Sequence, residues 1–245
     1  MPSVTDPHAD GYSSWKGWSG SRFGVMGRGD DQYFRDELRG AEPPEDGTIL
    51  EVGYGNGAFL AYARSRGWRV MGTELLPELI AEAREAGYDA RSADDLSSIA
   101  DGSVNLIAAF DVFEHIDPDS SVAFLTSLRD KLAAGGTIIL RYPNADSWLG
   151  NPFQYGDPTH VNAIGWLKMT YYAQSAGLRI RSYRAVARRG FATSFVHGIH
   201  RLTAGTYIRV TSAIRRAIYL PAIPVVLSGS NIICVLERQE PRATA

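Results

Sequence analysis

Thr48-Ile49-Leu50-Glu51-Val52-Gly53-Tyr54-Gly55-Asn56-Gly57-Ala58-Phe59-Leu60 is the stretch that decides the fold of this chain. The apolar run ending at Val52 reads as a short buried strand, the alternating glycines as a turn, and the residues after them as the start of a helix. Glycines at 53, 55 and 57 leave no Cβ atoms to hold the backbone away from a ligand. Glu51, two residues before the first glycine, can accept from the turn's own N–H groups or from a cationic ligand. A glycine turn at the carboxyl end of a strand is where open α/β sheets hold nucleotides.

Outward from this stretch, hydrophobic patterning predicts strands at 48–53, 68–73, 88–91, 104–110, 136–142, 178–187 and 230–238, and helices at about 57–66, 76–86, 118–133 and 165–176. This alternation predicts an α/β fold, a doubly wound, mostly parallel seven-stranded sheet with helices on both faces. Asp117-Pro118 places a capping carboxylate before a proline at the first helical position, and Gly135-Gly136 is expected to stop the same helix. Residues 1–46 are polar and glycine-rich, with Tyr12, Trp15, Trp18 and Phe23 interspersed, a short helical stretch around Asp31–Arg39 and a Pro43-Pro44 linker. They are expected to form a cover on a single domain spanning 47–245.

Composition agrees with one domain. The chain has 245 residues, 44% of them hydrophobic, enough to bury a full α/β core. Cys234 is the only cysteine, which excludes an intrachain disulfide and a cysteine metal cluster, and a reducing cytoplasm is the expected compartment. No uninterrupted apolar run approaches the roughly 20 residues of a spanning helix. The net charge of −2 hides a division: residues 1–157 hold 25 acidic and 13 basic residues, whereas 158–236 hold ten basic residues and no Asp or Glu. The C-terminal third therefore carries its own positive field and calls for an anionic partner.

Gly53-x-Gly55-x-x-Ala58 satisfies the dinucleotide fingerprint with its permitted alanine, so the turn alone leaves two cofactor classes open. The order of motifs separates them. Glu51, Gly53-x-Gly55-x-Gly57, Glu74, Asp94-Asp95 and Phe110-Asp111-Val112-Phe113-Glu114-His115 arrive in sequence, each just after an expected strand. In this the chain resembles the class I S-adenosylmethionine (SAM) methyltransferases over about residues 47–187. The resemblance implies SAM as cofactor, with Glu51, Gly53, Tyr54, Gly55 and Gly57 around it and Glu74 on its ribose. Asp94, or alternatively Asp95, would meet the adenine, and Asp111 would lie beside the methionine part. Each has a plainer role to weigh against this: Glu74 as an exposed helix-leading acid, Asp94 or Asp95 as a turn cap, Asp111 as an acceptor for loop N–H groups.

The acceptor side is expected in 144–165, an irregular connection leaving the fifth strand and containing Gln154-Tyr155-Gly156-Asp157-Pro158-Thr159-His160-Val161-Asn162. An O-methyl transfer needs a base for the hydroxyl proton. His160 suits that task, with Asp157 orienting it or contacting substrate, and His115 is a secondary candidate. Asp111, His115, Asp157 and His160 can be imagined around a divalent metal, but too few carboxylates converge for an oxygen-rich site, and no metal is expected. The Pro143-Asn144 and Gly-Asp-x-Thr-His patterns, with Trp15-Lys16-Gly17-Trp18 and Arg22-Phe23-Gly24, resemble methyltransferases of bacterial polysaccharide and other cell-surface glycan pathways.

Residues 190–228 exceed what the minimal fold needs before its last strand. Tyr207, Val210, Ile214 and Ile218 repeat at helical spacing, Arg209 and Arg216 fall on the opposite face, and Arg215 lies to one flank. Two readings stand: a helix packed on its own domain or on a homodimer partner, or a peripheral contact with a membrane or a lipid-linked anionic substrate. No nucleic-acid-binding motif accompanies the basic residues. The sequence thus points to a SAM-dependent O-methyltransferase acting on a sugar hydroxyl of a glycan or glycoconjugate. Its alternatives are a small-molecule or quinone-type methyltransferase, a non-catalytic SAM-fold partner subunit and an NAD-dependent oxidoreductase.

Overall fold

A computed structural model describes residues 23–239, apart from the side chain of Asp94. Tyr12, Trp15, Trp18 and Arg22 of the expected cover lie outside the described residues. Helix α1 (Asp30–Glu37) comes first. The alternating core follows: β1 (Thr48–Val52), α2 (Ala58–Ser65), β2 (Arg69–Glu74), α3 (Pro77–Glu85), β3 (Asp89–Ser92), β4 (Val104–Phe110), α4 (Ser121–Lys131) and β5 (Leu132–Pro143). The remainder is α5 (Asn151–Gly156), α6 (Trp166–Ser175), β6 (Leu178–Ala185), α7 (Phe195–Leu202), α8 (Ala204–Tyr219) and β7 (Asn231–Arg238).

The seven strands form one sheet in the order β3-β2-β1-β4-β5-β7-β6. β1 to β5 pair in parallel, and β7 runs antiparallel to both β5 and β6. The central strands are apolar on both faces because helices cover both. Leu50, Val52, Ile107, Ile138 and Leu140 pack with Leu125 and Leu128 of α4 and Met169 of α6 on one side, and Ile49, Leu106 and Ile139 pack with Phe34 of α1 and Phe59 and Tyr62 of α2 on the other. Period-two alternation along each strand sends neighbouring residues to opposite cores. Since β7 starts at the edge where β6 ends, the 190–228 insertion joins the same carboxyl edge that carries the glycine turn.

Three expectations about local structure change. Helix α4 ends at Lys131, four residues before Gly135, and the chain enters β5 directly. Gly135-Gly136 lies instead in an irregularity where the pairing jumps from Val104↔Leu132 to Leu106↔Thr137. Gly135 takes φ 73°, and a Cβ on Gly136 would come within 2.9 Å of the Val104 carbonyl oxygen. The 144–165 connection also contains the short helix α5, because Pro152 falls in its first turn, where a missing N–H costs nothing.

The third correction concerns the insertion, which holds two helices. The stripe Tyr207, Val210, Ile214 and Ile218 does not pack on its own domain: the four are 70%, 53%, 53% and 64% exposed. Helix α8 buries Gly205 and Ser212 instead. A Cβ on Gly205 would come within 3.2 Å of the Arg188 side chain and 3.4 Å of the His200 carbonyl oxygen, so this face of α8 is closed by its neighbours while the bulky stripe stays outward.

Candidate active site

The glycine turn is built as the sequence requires. Gly53, Gly55 and Gly57 take φ values of 67°, 52° and 73°, the left-handed region that a Cβ disfavours. Their lack of side chains also serves the protein's own packing. A Cβ on Gly53 would meet Val112 Cγ2 at 2.6 Å, and one on Gly57 would run into the ring of Phe23, which stands edge-on to Tyr54 and Tyr88. Tyr54 buries its ring in the same cluster and donates its hydroxyl hydrogen to the Leu79 carbonyl, so this residue offers the cleft mainly backbone. Glu74 accepts from the N–H groups of Gly55 at 3.0 Å and Leu75 at 2.7 Å, tying the turn to the end of β2. An ionised carboxylate has about four acceptor positions, which leaves capacity for a ligand hydroxyl.

Beside this turn a cleft of about 370 Å³ is lined by Tyr33, Glu51, Gly53, Gly55, Phe59, Asp111, Arg141 and Arg189, among others. Arg141, near the end of β5, donates to both oxygens of Asp111 and to the Tyr33 hydroxyl at 2.7 Å. Burial opposes the guanidinium's charge, but Asp111 and Tyr33 outweigh it and hold its pKa above the ordinary arginine value. Burial also pushes the Tyr33 hydroxyl up to about 12, against the opposing pull of Arg141. Glu51 is 4% exposed, and its Oε2 makes no hydrogen bond. Burial, with Glu74 adding to it, raises its pKa well above the usual carboxylate range, while Arg141 and a backbone N–H at Leu60 work the other way.

Asp111 is where this cleft meets a second one. A pocket of about 280 Å³ is lined by Asp111, Glu114, Pro143, Phe153, Asp157, His160 and Asn231, among others. His160 Nε2 lies 3.4 Å from Asp157 Oδ2 and 3.9 Å from Glu114 Oε1. Asp157 also accepts through Oδ1 from the N–H and hydroxyl of Thr159, at 3.0 and 2.6 Å, which shapes the loop around His160. His115 Nδ1 approaches the Thr159 carbonyl at 3.2 Å and its hydroxyl oxygen at 2.9 Å. The carbonyl can only accept and the Thr159 hydroxyl donates to Asp157, so in this arrangement Nδ1 of His115 is the donor toward Thr159. The His115 and His160 rings meet edge-on at 4.7 Å.

The expected residues therefore fall into two adjoining groups. Glu51, Gly53, Tyr54, Gly55 and Asp111 line the cleft, Gly57 lies under the Phe23 ring outside its lining, Glu74 is bonded to the turn, and Asp157 and His160 join Asp111 in the pocket, with His115 behind them. Asp95 is exposed, and its carbonyl accepts from Ser98 Oγ at 2.7 Å. Sequence reasoning gave no role to Arg141, Tyr33 or Glu114. Arg141 carried a usable signal, a cation near the carboxyl end of a strand expected to lie next to the one that ends before Asp111.

A family model described as a methyltransferase domain matches residues 28–187. The chain belongs to that family. This methyltransferase has the fold of a SAM-dependent methyltransferase from Archaeoglobus fulgidus, with a TM-score of 0.61 at 16% identity over 85% of this chain and 94% of that one. A TehB-like SAM-dependent methyltransferase from Corynebacterium glutamicum ATCC 13032 aligns with a TM-score of 0.55 at 18% identity, covering 95% and 98% of the two chains. A geranyl diphosphate C-methyltransferase from Streptomyces coelicolor A3(2) gives 0.52 at 15% identity over 85% and 78%. No curated protein matches the sequence.

SAM is the cofactor of this methyltransferase, and the residues of the cleft fit it. A buried Glu51 oxygen without a hydrogen bond is suited to a cationic ligand, and Gly53 and Gly55 bring main chain to the cleft wall beside it. The dinucleotide reading falls with the topology, because the dinucleotide fold orders its strands 3-2-1-4-5-6, whereas here an antiparallel β7 lies between β5 and β6.

Proposed function

We propose that this methyltransferase transfers the methyl group of SAM to a hydroxyl oxygen of a saccharide, in a glycan or glycoconjugate. The observation that carries the reading is the meeting of the two pockets at Asp111, with His160 in the wall of the second, between the carboxylates of Asp157 and Glu114. SAM supplies an electrophilic methyl. The protein's part is to orient the acceptor and remove its proton: His160 takes the hydroxyl hydrogen, and the two carboxylates stabilise the positive charge the ring gains. Asp111 and Asn231 offer acceptors and donors to the other hydroxyls of a polyol, and Pro143 and Phe153 offer apolar faces to a sugar ring. A lipid-linked glycan would also account for a peripheral membrane contact through 190–228.

A second reading rests on Glu114, His115 and His160, whose ligand atoms all lie within 4.8 Å of one another. Such a set can hold a divalent ion that acidifies the hydroxyl directly. It differs from the set considered and set aside in the sequence, since Glu114 enters and Asp111 and Asp157 drop out.

The test is incubation of the protein and SAM with mono- and oligosaccharides and with phenolic and quinol acceptors, following release of S-adenosylhomocysteine. Transfer to a saccharide hydroxyl, located by mass spectrometry, supports the proposal. Transfer to phenols or quinols alone overturns it.

A further inference from the structure

Between α1, the end of β6 and the α7–α8 hairpin lies a cavity of about 290 Å³ whose wall is dominated by arginine: Arg39, Arg184, Arg188, Arg201 and Arg209. Two of these are committed to carboxylates. Arg184 pairs with Glu37 at 2.8 Å, and Arg39 pairs at 2.8 Å with Asp36, the one acidic residue in the wall. The other three reach only backbone carbonyls: Arg188 that of Ser228 at 3.1 Å, Arg201 that of Arg188 at 3.3 Å, and Arg209 that of Gly205 at 3.3 Å. Among the described residues, none of the three forms an ion pair with a carboxylate.

Positive charge therefore gathers in this wall without a carboxylate for these three. Burial lowers the pKa of Arg188 below the ordinary arginine value, and the nearby Arg209 lowers it further. With no Asp or Glu anywhere in 158–236, the chain supplies no compensating charge from this region. Arginines lining one space can offer the bidentate donor geometry that phosphate oxygens accept.

We propose that this cavity is a binding site for a phosphate or diphosphate group, gripped by Arg188, Arg201 and Arg209. The site is separate from the SAM cleft. A neighbouring groove shares Arg188 and Arg201 with this cavity and Tyr33 and Arg189 with that cleft. It does not depend on which acceptor is methylated. Two sources of the group fit the surroundings. A soluble phosphate ester can enter the cavity alone, and a lipid headgroup can enter while Phe195, Val196 and Leu202 of α7, which are 72%, 73% and 61% exposed, meet the apolar part of a membrane.

The experiment compares the full chain with Arg188→Gln and with Arg201→Gln/Arg209→Gln. Inorganic pyrophosphate is titrated by calorimetry, and sedimentation is measured with phosphatidylcholine vesicles with and without phosphatidic acid. Binding of S-adenosylhomocysteine by each variant serves as the folding control. Pyrophosphate binding to the wild type that weakens at least tenfold in the variants supports the site with a soluble source. Sedimentation that needs phosphatidic acid and is lost in the variants supports it with a lipid source. The proposal is overturned if neither probe binds the wild type, or if folded variants bind as well as the wild type does.

Discussion

The Arg141 guanidinium grips both carboxylate oxygens of Asp111, Nε to Oδ1 at 2.9 Å and Nη2 to Oδ2 at 2.5 Å, at the residue that lines both the glycine-turn cleft and the His160 pocket. Asp111 is held there in left-handed backbone, φ 58°, the one described non-glycine residue with positive φ. Its N–H donates to the Arg141 carbonyl at 2.9 Å, so main chain and side chain are both bound to the neighbouring residue of β5. This double attachment keeps the partition between the two pockets in place.

Asp111→Ala removes the counter-charge while leaving Arg141 and its bond to Tyr33 behind. Urea unfolding is expected to show a loss of about 1–3 kcal/mol, the usual cost of stranding a polar partner. Asp111→Asn, which keeps one acceptor oxygen and tolerates left-handed backbone, is expected to lose less. A neutral Asp111→Ala would show that the pair is a solvated surface contact.

Glu51 makes both stability and cofactor binding depend on pH. Its folded pKa lies well above the ordinary 4.5, so between those two values the unfolded chain has released a proton that the folded chain keeps. Stability contributed by the protonated carboxyl is full below 4.5 and falls through this window as pH rises, with a limiting slope of about 1.4 kcal/mol per pH unit. A cationic ligand favours the ionised form, so SAM affinity is expected to rise with pH over the same window, with proton release seen by calorimetry in buffers of different ionisation enthalpy. Glu51→Gln should flatten both profiles. A pH dependence that persists in Glu51→Gln would assign it to another group.

Gly57→Ala meets two penalties, left-handed backbone worth about 1–2 kcal/mol and overlap with the Phe23 ring. Thermal unfolding is expected to show a loss above the backbone term alone. In a Phe23→Ala background the overlap disappears, so the same substitution should cost less there. Equal costs in the two backgrounds would mean that Phe23 does not rest on the turn.

His160→Ala is expected to leave SAM affinity nearly intact and to lower turnover roughly 10²–10⁴-fold, the usual range for a general base. His115→Ala should cost less, since His115 is bonded to Thr159 behind the pocket. Turnover at saturating SAM with a saccharide acceptor measures both. Chelation by EDTA should change nothing if His160 acts as the base. Activity lost to EDTA and restored by a divalent ion would favour the Glu114–His115–His160 metal reading.

How far the site was legible varied by residue. Gly53, Gly55, Glu51 and Asp111 were readable as candidates, because each follows from position at the carboxyl end of an expected strand, and all four line the cleft. The reason for Gly57 was only partly legible, since the ring that excludes a side chain there comes from Phe23, 34 residues earlier. The Asp157–His160 spacing suggested a partnership that the loop realises at 3.4 Å. Glu114 stood next to His115 in the sequence, yet its approach to His160 at 3.9 Å depends on the loop returning over the Phe113–His115 turn, where the Asn162 N–H donates to the Glu114 carbonyl at 3.0 Å.

The sequence by itself determined the strand–helix alternation, the glycine turn and the place of the long connection after β5, because hydrophobic period, glycine content and strand ends are local properties of the chain. Only the tertiary structure decided the partners. Arg141 joins Asp111 because parallel pairing sets Phe110 opposite Arg141, and Tyr33 reaches the same guanidinium because α1 packs on the second face of the sheet. The α8 stripe illustrates the same division from the other side. Its period of apolar residues was readable and predicted a helix, but which face the helix buries depends on what it can approach, and Gly205 and Ser212 allow a closer approach than Tyr207 and Ile214 do.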